Sequence, residues 1–293
     1  MSEHAVNVTI RSALHADIEA CGHIMNKAFK GINESHGFEN TDFPTAEIGC
    51  QVAAFHIHNP LYYGVVAELG GRIVGSGFLD ERSLIRGVTT VSADPDVQGK
   101  GVGRRLMVAL LERSRGSSGV RLLQHPFNTL SLALYTSLGF EVKEPIIFMS
   151  GRPKSQTPVG FEIRRMRSED LDACGALCKK VHGFERINEL RDALQVFTPF
   201  VALREGRVVA YASAADTWAQ NHGVAEVEED MRALILGIGV SMSEPLSFLL
   251  PIRQTAFFRW CLDQGLSLVK PMTLMAMGEY QEPKGCYFTS VVF

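Results

Sequence analysis

The sequence predicts an α/β protein made of two related halves, each a mixed, largely antiparallel sheet flanked by helices. Three observations carry that expectation. The 293 residues are 46% hydrophobic and 21% charged with a formal net charge of −3, an ordinary globular composition at a length suited to about two domains. Residues 8–29, VTIRSALHADIEACGHIMNKAF, align without a gap to residues 161–182, FEIRRMRSEDLDACGALCKKVH, so that Ile10-Arg11 matches Ile163-Arg164 and the hexad Asp17–Gly22 matches Asp170–Gly175. Strand and helix patterns also alternate along the first half in an order that builds a sheet with helices on its faces.

Taken in order, the first half reads as a strand at 6–11, a helix at 15–29, a long loop and a helix at 45–58. A hairpin follows at 62–69 and 72–80, where GGRIVGSGF supplies a turn glycine leading into an alternating strand. Then come a strand at 84–93, a helix at 103–116, a strand at 120–124, a helix at 128–138 and a strand at 140–149. The second half echoes this: EGRVVAYAS at 205–213 resembles the hairpin, and FFRWCLDQGLSL at 257–268 resembles LALYTSLGFEV at 132–142 with one residue inserted. Between the halves SGRPKSQTPVG, 150–160, is rich in Gly, Pro and Ser. The expected organisation is a domain at 1–150, a linker at 151–160 and a domain at 161–293.

The near-neutral charge gives no general pull toward nucleic acid or an anionic membrane surface, and neither is expected as a partner. No apolar run approaches the ~20 residues of a membrane span. The opening residues MSEHAVNVTIRS carry early charges and no apolar leader core. Six cysteines without framework spacing suit a reducing compartment, so a cytoplasmic location is expected.

The most informative stretch is VSADPDVQGKGVGRRLM, 91–107, in which Gly99, Gly101 and Gly103 stand at the mouth of a helix. Glycine inside a helix costs roughly 1 kcal/mol against alanine, so three need a reason. The first four N–H groups of a helix lack internal partners and carry partial positive charge. Glycines remove the side chains that would hold a phosphate away, and Lys100, Arg104 and Arg105 add positive charge, so the stretch reads as a diphosphate site. No Lys-Ser/Thr follows the last glycine, which excludes a Walker A loop, and the spacing is not that of a dinucleotide fingerprint.

Gln98-Gly99-Lys100-Gly101-Val102-Gly103 resembles the Q/R-x-x-G-x-G/A signature of GNAT-type N-acetyltransferases, and NTLSLALYTSLGF, Asn128–Phe140, resembles that family's second hallmark. The resemblance covers residues 6–150 and implies tandem GNAT-like domains with acetyl-CoA as co-substrate and no metal. It implies that pantetheine pairs with the strand edge at Val91, Ser92 and Ala93, with the Val91 N–H polarising the thioester carbonyl. Gln98, Gly99, Lys100, Gly101, Val102, Gly103 and Arg104 would cradle the pyrophosphate, and Asn128 would contact the pantetheine arm. Tyr135 would touch the cofactor and protonate the departing thiolate. Many relatives carry a Glu on the fourth strand as base, whereas SLIRGVTTVSA has no carboxylate. Asp80 or Glu81, His125, or water remain as candidates.

The second half has no Gln-x-x-Gly-x-Gly. LILGIGVS at 234–241 is apolar without a nearby cation, and Trp260 stands where Tyr135 stands in the first copy, so this half reads as a degenerate GNAT-like domain. Cys174, Cys178 and His182 fall on one predicted helix but span two turns, and His56 and His58 point to different faces, so neither group is expected to ligate a metal. The loop KGINESHGFENTDFP, 30–44, reads either as an acceptor-site wall, with Glu34, Glu39 and Asp42 meeting a cationic amine between Phe38 and Phe43, or as a solvated loop anchored by its aromatics. The expected activity is acetyl transfer to a primary amine of a small molecule or peptide by direct attack. A non-catalytic acetyl-CoA sensor or interaction module, and transfer of a longer acyl group, stand as alternatives. Oligomeric state is open between monomer and homodimer.

Overall fold

The computed structural model describes residues 8–292. Val6 and Asn7 of the expected first strand lie outside them, as do the other residues before Val8. By backbone contacts the chain forms two compact units, the first ending at Arg121 but including Phe127–Gly139, the second comprising Leu122–Pro126 and the residues from Phe140 onward.

The first unit contains β1 (Val8–Ser12), α1 (Ile18–Glu34), α2 (Ala46–His58), β2 (Tyr62–Leu69), β3 (Arg72–Asp80), β4 (Ile85–Ala93), α3 (Val102–Arg113), the start of β5 (Gly119–Gln124) and α4 (Thr129–Ser137). Strands β1 to β4 are neighbours in sequence order and pair antiparallel. A short 3-10 turn, His15–Asp17, opens α1, which runs to Glu34 rather than ending near residue 29. The long loop is correspondingly shorter.

The repeated sequence has a repeated geometry. Arg11 donates to both carboxylate oxygens of Asp17 at 2.7 and 2.8 Å, and Arg164 donates to both of Asp170 at the same two distances. Each carboxylate also accepts the N–H three residues before it, from Leu14 and from Arg167. The hexad ends on a glycine because a second helix crosses there. A Cβ on Gly22 would come within 2.4 Å of the Cys50 backbone N in α2, and one on Gly175 within 2.7 Å of the Ile187 side chain. Cys21 and Cys174 are fully buried between these helices and the sheets. Helical spacing made both residues legible as core.

The second unit contains β6 (Glu141–Gly151), β7 (Phe161–Arg165), α5 (Leu171–His182), α6 (Ile187–Val196), β8 (Phe200–Arg204), β9 (Arg207–Ala212), β10 (Gly223–Ala225), α7 (Glu228–Ser241), β11 (Leu246–Pro251), α8 (Thr255–Asp263), β12 (Ser267–Gly278) and β13 (Cys286–Phe288). β7 to β10 repeat the β1 to β4 meander, and the short C-terminal strand β13 is added beside β10. β6 lies between β12 and β11, antiparallel to both.

The Arg11 guanidinium, together with the Leu14 N–H, holds the Asp17 carboxyl below the usual carboxylate range, and Arg164 does the same for Asp170. A carboxyl depressed in the folded state adds stability that is fully present above its unfolded pKa of about 3.9 and is lost as pH falls through the folded value. Asp17→Asn and Asp170→Asn should therefore each lower stability by about 2 kcal/mol at neutral pH. In urea titrations the gap between each variant and the wild type should close as the pH drops below about 4. A gap that is independent of pH would contradict the assignment.

Candidate active site

The anion-binding geometry grows out of the end of β4. β3 and β4 keep register from Gly75↔Ala93 to Gly77↔Val91, then slip, so that Leu79 faces Val88. β4 thus carries one extra residue at Thr89–Thr90, immediately before Val91. A bulge re-aims the backbone that follows it, and bulges recur beside active sites. Nothing local in IRGVTTVSA announces it.

After Ala93 the chain makes a 3-10 turn over Pro95–Val97, opened by the Asp94 side chain accepting the Asp96 N–H. Burial alone would raise the Asp94 carboxyl, but Lys27 at 2.9 Å, the Asp96 N–H and Arg72 at 3.3 Å hold it below the usual range. This staple ties the turn to α1. Gly99 and Gly101 both adopt φ +80°, the left-handed region where a Cβ is strained, and a Cβ at either would meet nothing within 4 Å. Gly101 then serves as the N-cap of α3, whose first turn bears no acidic residue.

Gly103 has a different reason. It lies inside the helix, where a Cβ would come to 3.4 Å from Leu134 of α4. Beside it Arg104 donates to the Ser137 hydroxyl at 2.5 Å. The first turn of α3 therefore packs on the stretch of α4 that carries Tyr135. Gln98, Lys100 and Arg104 are exposed, Gln98 donating to the Ala93 carbonyl and Lys100 to the Asp96 carbonyl. Arg105 points elsewhere, its guanidinium donating to the Val8 carbonyl.

Asn128 is the N-cap of α4, its side-chain oxygen accepting the Ser131 N–H at 3.2 Å. Tyr135, two turns on, is buried, and desolvation pushes its phenol up to about 12, so it stays protonated across the neutral range. The first unit thus carries Val91–Ala93, Gln98–Arg104, Asn128 and Tyr135, with Gln98 bonded back to Ala93 and the first turn of α3 against Leu134 and Ser137 of α4. His125, at the end of β5, is buried and belongs to the second unit. Asp80 is gripped by both Nε and Nη2 of Arg82, and Glu81 by Arg113 at 2.9 Å.

The loop after α1 is held by its own contacts. Asn33 donates to Asp42, Asn26 donates to the Phe43 carbonyl, Phe43 is buried against Phe29, and Phe38 stacks on Phe127 at 4.8 Å. Cys174, Cys178 and His182 are all buried, His182 lying 3.2 Å from His222. Among the described residues no group of three or more His, Cys, Asp or Glu is arranged to hold a metal. His56 is buried against Tyr62 and Phe78, while His58 is exposed and meets His15.

The second unit's counterpart of α3 is α7, which follows β10. Its first turn is Glu228, Glu229 and Asp230, the opposite of an anion site. Gly237 and Gly239 of LILGIGVS lie in the interior of that helix, where Cβ atoms would strike Ile163 and Pro153. Trp260 is half-buried on α8, stacked on Phe257.

Gly101 and Gly103 should respond differently to a methyl group. Gly101→Ala should cost about 1–2 kcal/mol in urea denaturation because its φ is left-handed. Gly103→Ala, a helical position with a contact at van der Waals range, should be neutral or stabilise by up to about 1 kcal/mol. Equal losses at both would contradict the division of roles.

A family model for the GNAT acetyltransferase domain matches residues 60–142. N-alpha-acetyltransferase RimI of Mycobacterium tuberculosis is 33% identical over 139 residues, covering 46% of this chain and 78% of that protein. Mycothiol acetyltransferase of Nocardia farcinica is 43% identical over 63 residues, 21% of each chain. A solved structure described as an acetyltransferase of Pyrococcus horikoshii shares the fold over 100% of this chain and 96% of its own, with a TM-score of 0.76 at 16% identity. A tandem GNAT protein from the clavulanic acid pathway covers 94% of this chain and 100% of its own with a TM-score of 0.59 at 11% identity. With the glycine-lined helix mouth in the first unit and the repeated meander in the second, the chain belongs to the GNAT family of acetyltransferases and has the fold of its tandem members.

Proposed function

We propose that this chain moves an acetyl group from acetyl-CoA to a primary amine of a small molecule or peptide, using the 1–150 half, while the 161–293 half is a degenerate copy. The observation that carries the reading is the mouth of α3, open above Gly99 and Gly101 and packed through Gly103 against the helix of Tyr135. Acyl transfer from an acyl-CoA to an amine is the general chemistry of the family. RimI acts as an N-alpha-acetyltransferase, and mycothiol acetyltransferase takes its name from another acceptor, so both peptide and small-molecule amines have precedents among similar proteins.

In this reading the pyrophosphate lies within Gln98–Arg104, on the N–H groups other than those of Gln98 and Lys100, which donate to the Pro95 and Val97 carbonyls, with Lys100 and Arg104 supplying charge. The pantetheine arm pairs with Val91–Ala93, aimed by the bulge at Thr89–Thr90. Asn128, its oxygen committed to the helix cap, offers its amide nitrogen to the arm. The neutral amine attacks the thioester carbonyl, forming the C–N bond while the Val91 N–H stabilises the oxyanion. Collapse breaks the C–S bond, and the thiolate takes the Tyr135 proton. Arg82 and Arg113 occupy the carboxylates of Asp80 and Glu81, so the proton lost by the amine passes to water.

Tyr135→Phe should leave CoA affinity nearly unchanged and cut kcat by about 10²-fold or more, measured where chemistry limits the rate. Wild-type turnover by the Phe variant would remove the phenol from the mechanism. CoA binding without consumption of acetyl-CoA against a pooled amine library would favour the sensor alternative.

A further inference from the structure

Within the second unit the edge of β10 is filled. β13 pairs antiparallel with it in the register Gly223↔Phe288, Val224↔Tyr287 and Ala225↔Cys286. On its other side the same segment is held just as closely. The Gln254 side chain donates to the Tyr287 carbonyl at 2.6 Å and accepts the Tyr287 N–H at 3.1 Å, mimicking a neighbouring strand. The Thr289 N–H donates to the Leu249 carbonyl of β11 at 3.0 Å. Side chains alternate between two cores: Cys286 and Phe288 enter one with Phe248, and Tyr287 enters another with Leu249. Every residue from Cys286 to Ser290 is buried.

The groove is shaped for this occupant. A Cβ on Gly223 would come within 2.1 Å of the Phe288 ring, so the ring lies where only glycine leaves room. Ser290 is fixed between Arg186 and Glu189. β10 takes the place of β4 in the repeated meander, and Gln254 leads into α8 as Asn128 leads into α4.

We propose that the cleft bounded by β10, β11 and Gln254 is a binding site for an extended, aromatic-bearing peptide strand, and that residues 286–290 are its built-in ligand. Main-chain pairing supplies affinity and the alternating pockets supply selectivity, as in other strand-addition sites. In the first unit the corresponding strand β4 has β5 as its next neighbour and, in the function proposed above on which this comparison rests, offers Val91–Ala93 to a pantetheine arm; in the second unit β10 has β13 in that place.

The test uses the full chain with a protease site inserted between Gln281 and Glu282, both exposed and outside regular structure. The protein is folded intact, then cut. The fragment beginning at Glu282 should co-elute with the body on gel filtration, and the β10 amides should keep their protection from hydrogen exchange. A fluorescent synthetic peptide of residues 282–293 should exchange into the cut protein, and the same peptide carrying Phe288→Ala should compete about 100-fold less well. Gln254→Ala should speed release of the fragment without unfolding the body. Loss of the cut fragment under native conditions, failure of the synthetic peptide to exchange in, equal competition by both peptides, or release unaffected by Gln254→Ala would overturn the proposal. None of these readouts involves CoA, so they stand apart from failure of the acetyl-transfer reading.

Discussion

At the start of α3 the backbone passes through Gly99 and Gly101 in the left-handed region, and a side chain at either would stand in open space. Much of the first unit serves to keep that arrangement. Lys27 and Arg72 converge on Asp94 to fix the turn after β4, the bulge at Thr89–Thr90 sets how the strand enters it, and Gly103 lets α4 approach. A helix terminus attracts anions through its unpaired N–H groups and its dipole, and both effects fade within one turn. Position is therefore decisive: a glycine two turns further on, as at Gly237 in α7, is only a packing residue.

The two units show one fold under opposite demands. Both keep the bidentate Arg–Asp pair and the glycine at the helix crossing, which are matters of folding. They diverge where a ligand would lie. α3 begins with glycines, and α7 begins with three acidic residues. The β10 edge is paired with the chain's own β13, an arrangement that satisfies backbone groups which would otherwise be buried without partners. Duplicated scaffolds thus separate a part under stability constraint from a part free to change.

Much of this was legible in the residues. The ungapped repeat identified Arg11 with Arg164 and Asp17 with Asp170, while the ion pair within each copy emerges only from the structure. The helix mouth was legible because three glycines at a helix start have few explanations. The bulge in β4 was not, because it depends on register against β3 and leaves no mark in a run of Thr and Val. Nor was the place of β6 between β12 and β11, or of β13 beside β10. Each joins segments far apart in the chain, and local periodicity says which face of a strand is buried, never which strand lies next to it. The longer α1 was missed because its last turn, through Gly31 and Asn33, looks like loop until Asn33 is seen bonding to Phe29 and Asp42.

The central claim is that one helix mouth, and only one, is built for a cofactor diphosphate. Isothermal titration of the whole chain with CoA measures it most directly. The expected result is one site per chain, abolished by Gly99→Asp combined with Gly101→Asp, whose carboxylates would stand in the open space at the helix mouth and repel the anion. Two sites per chain, or tight binding by the double variant, would contradict it.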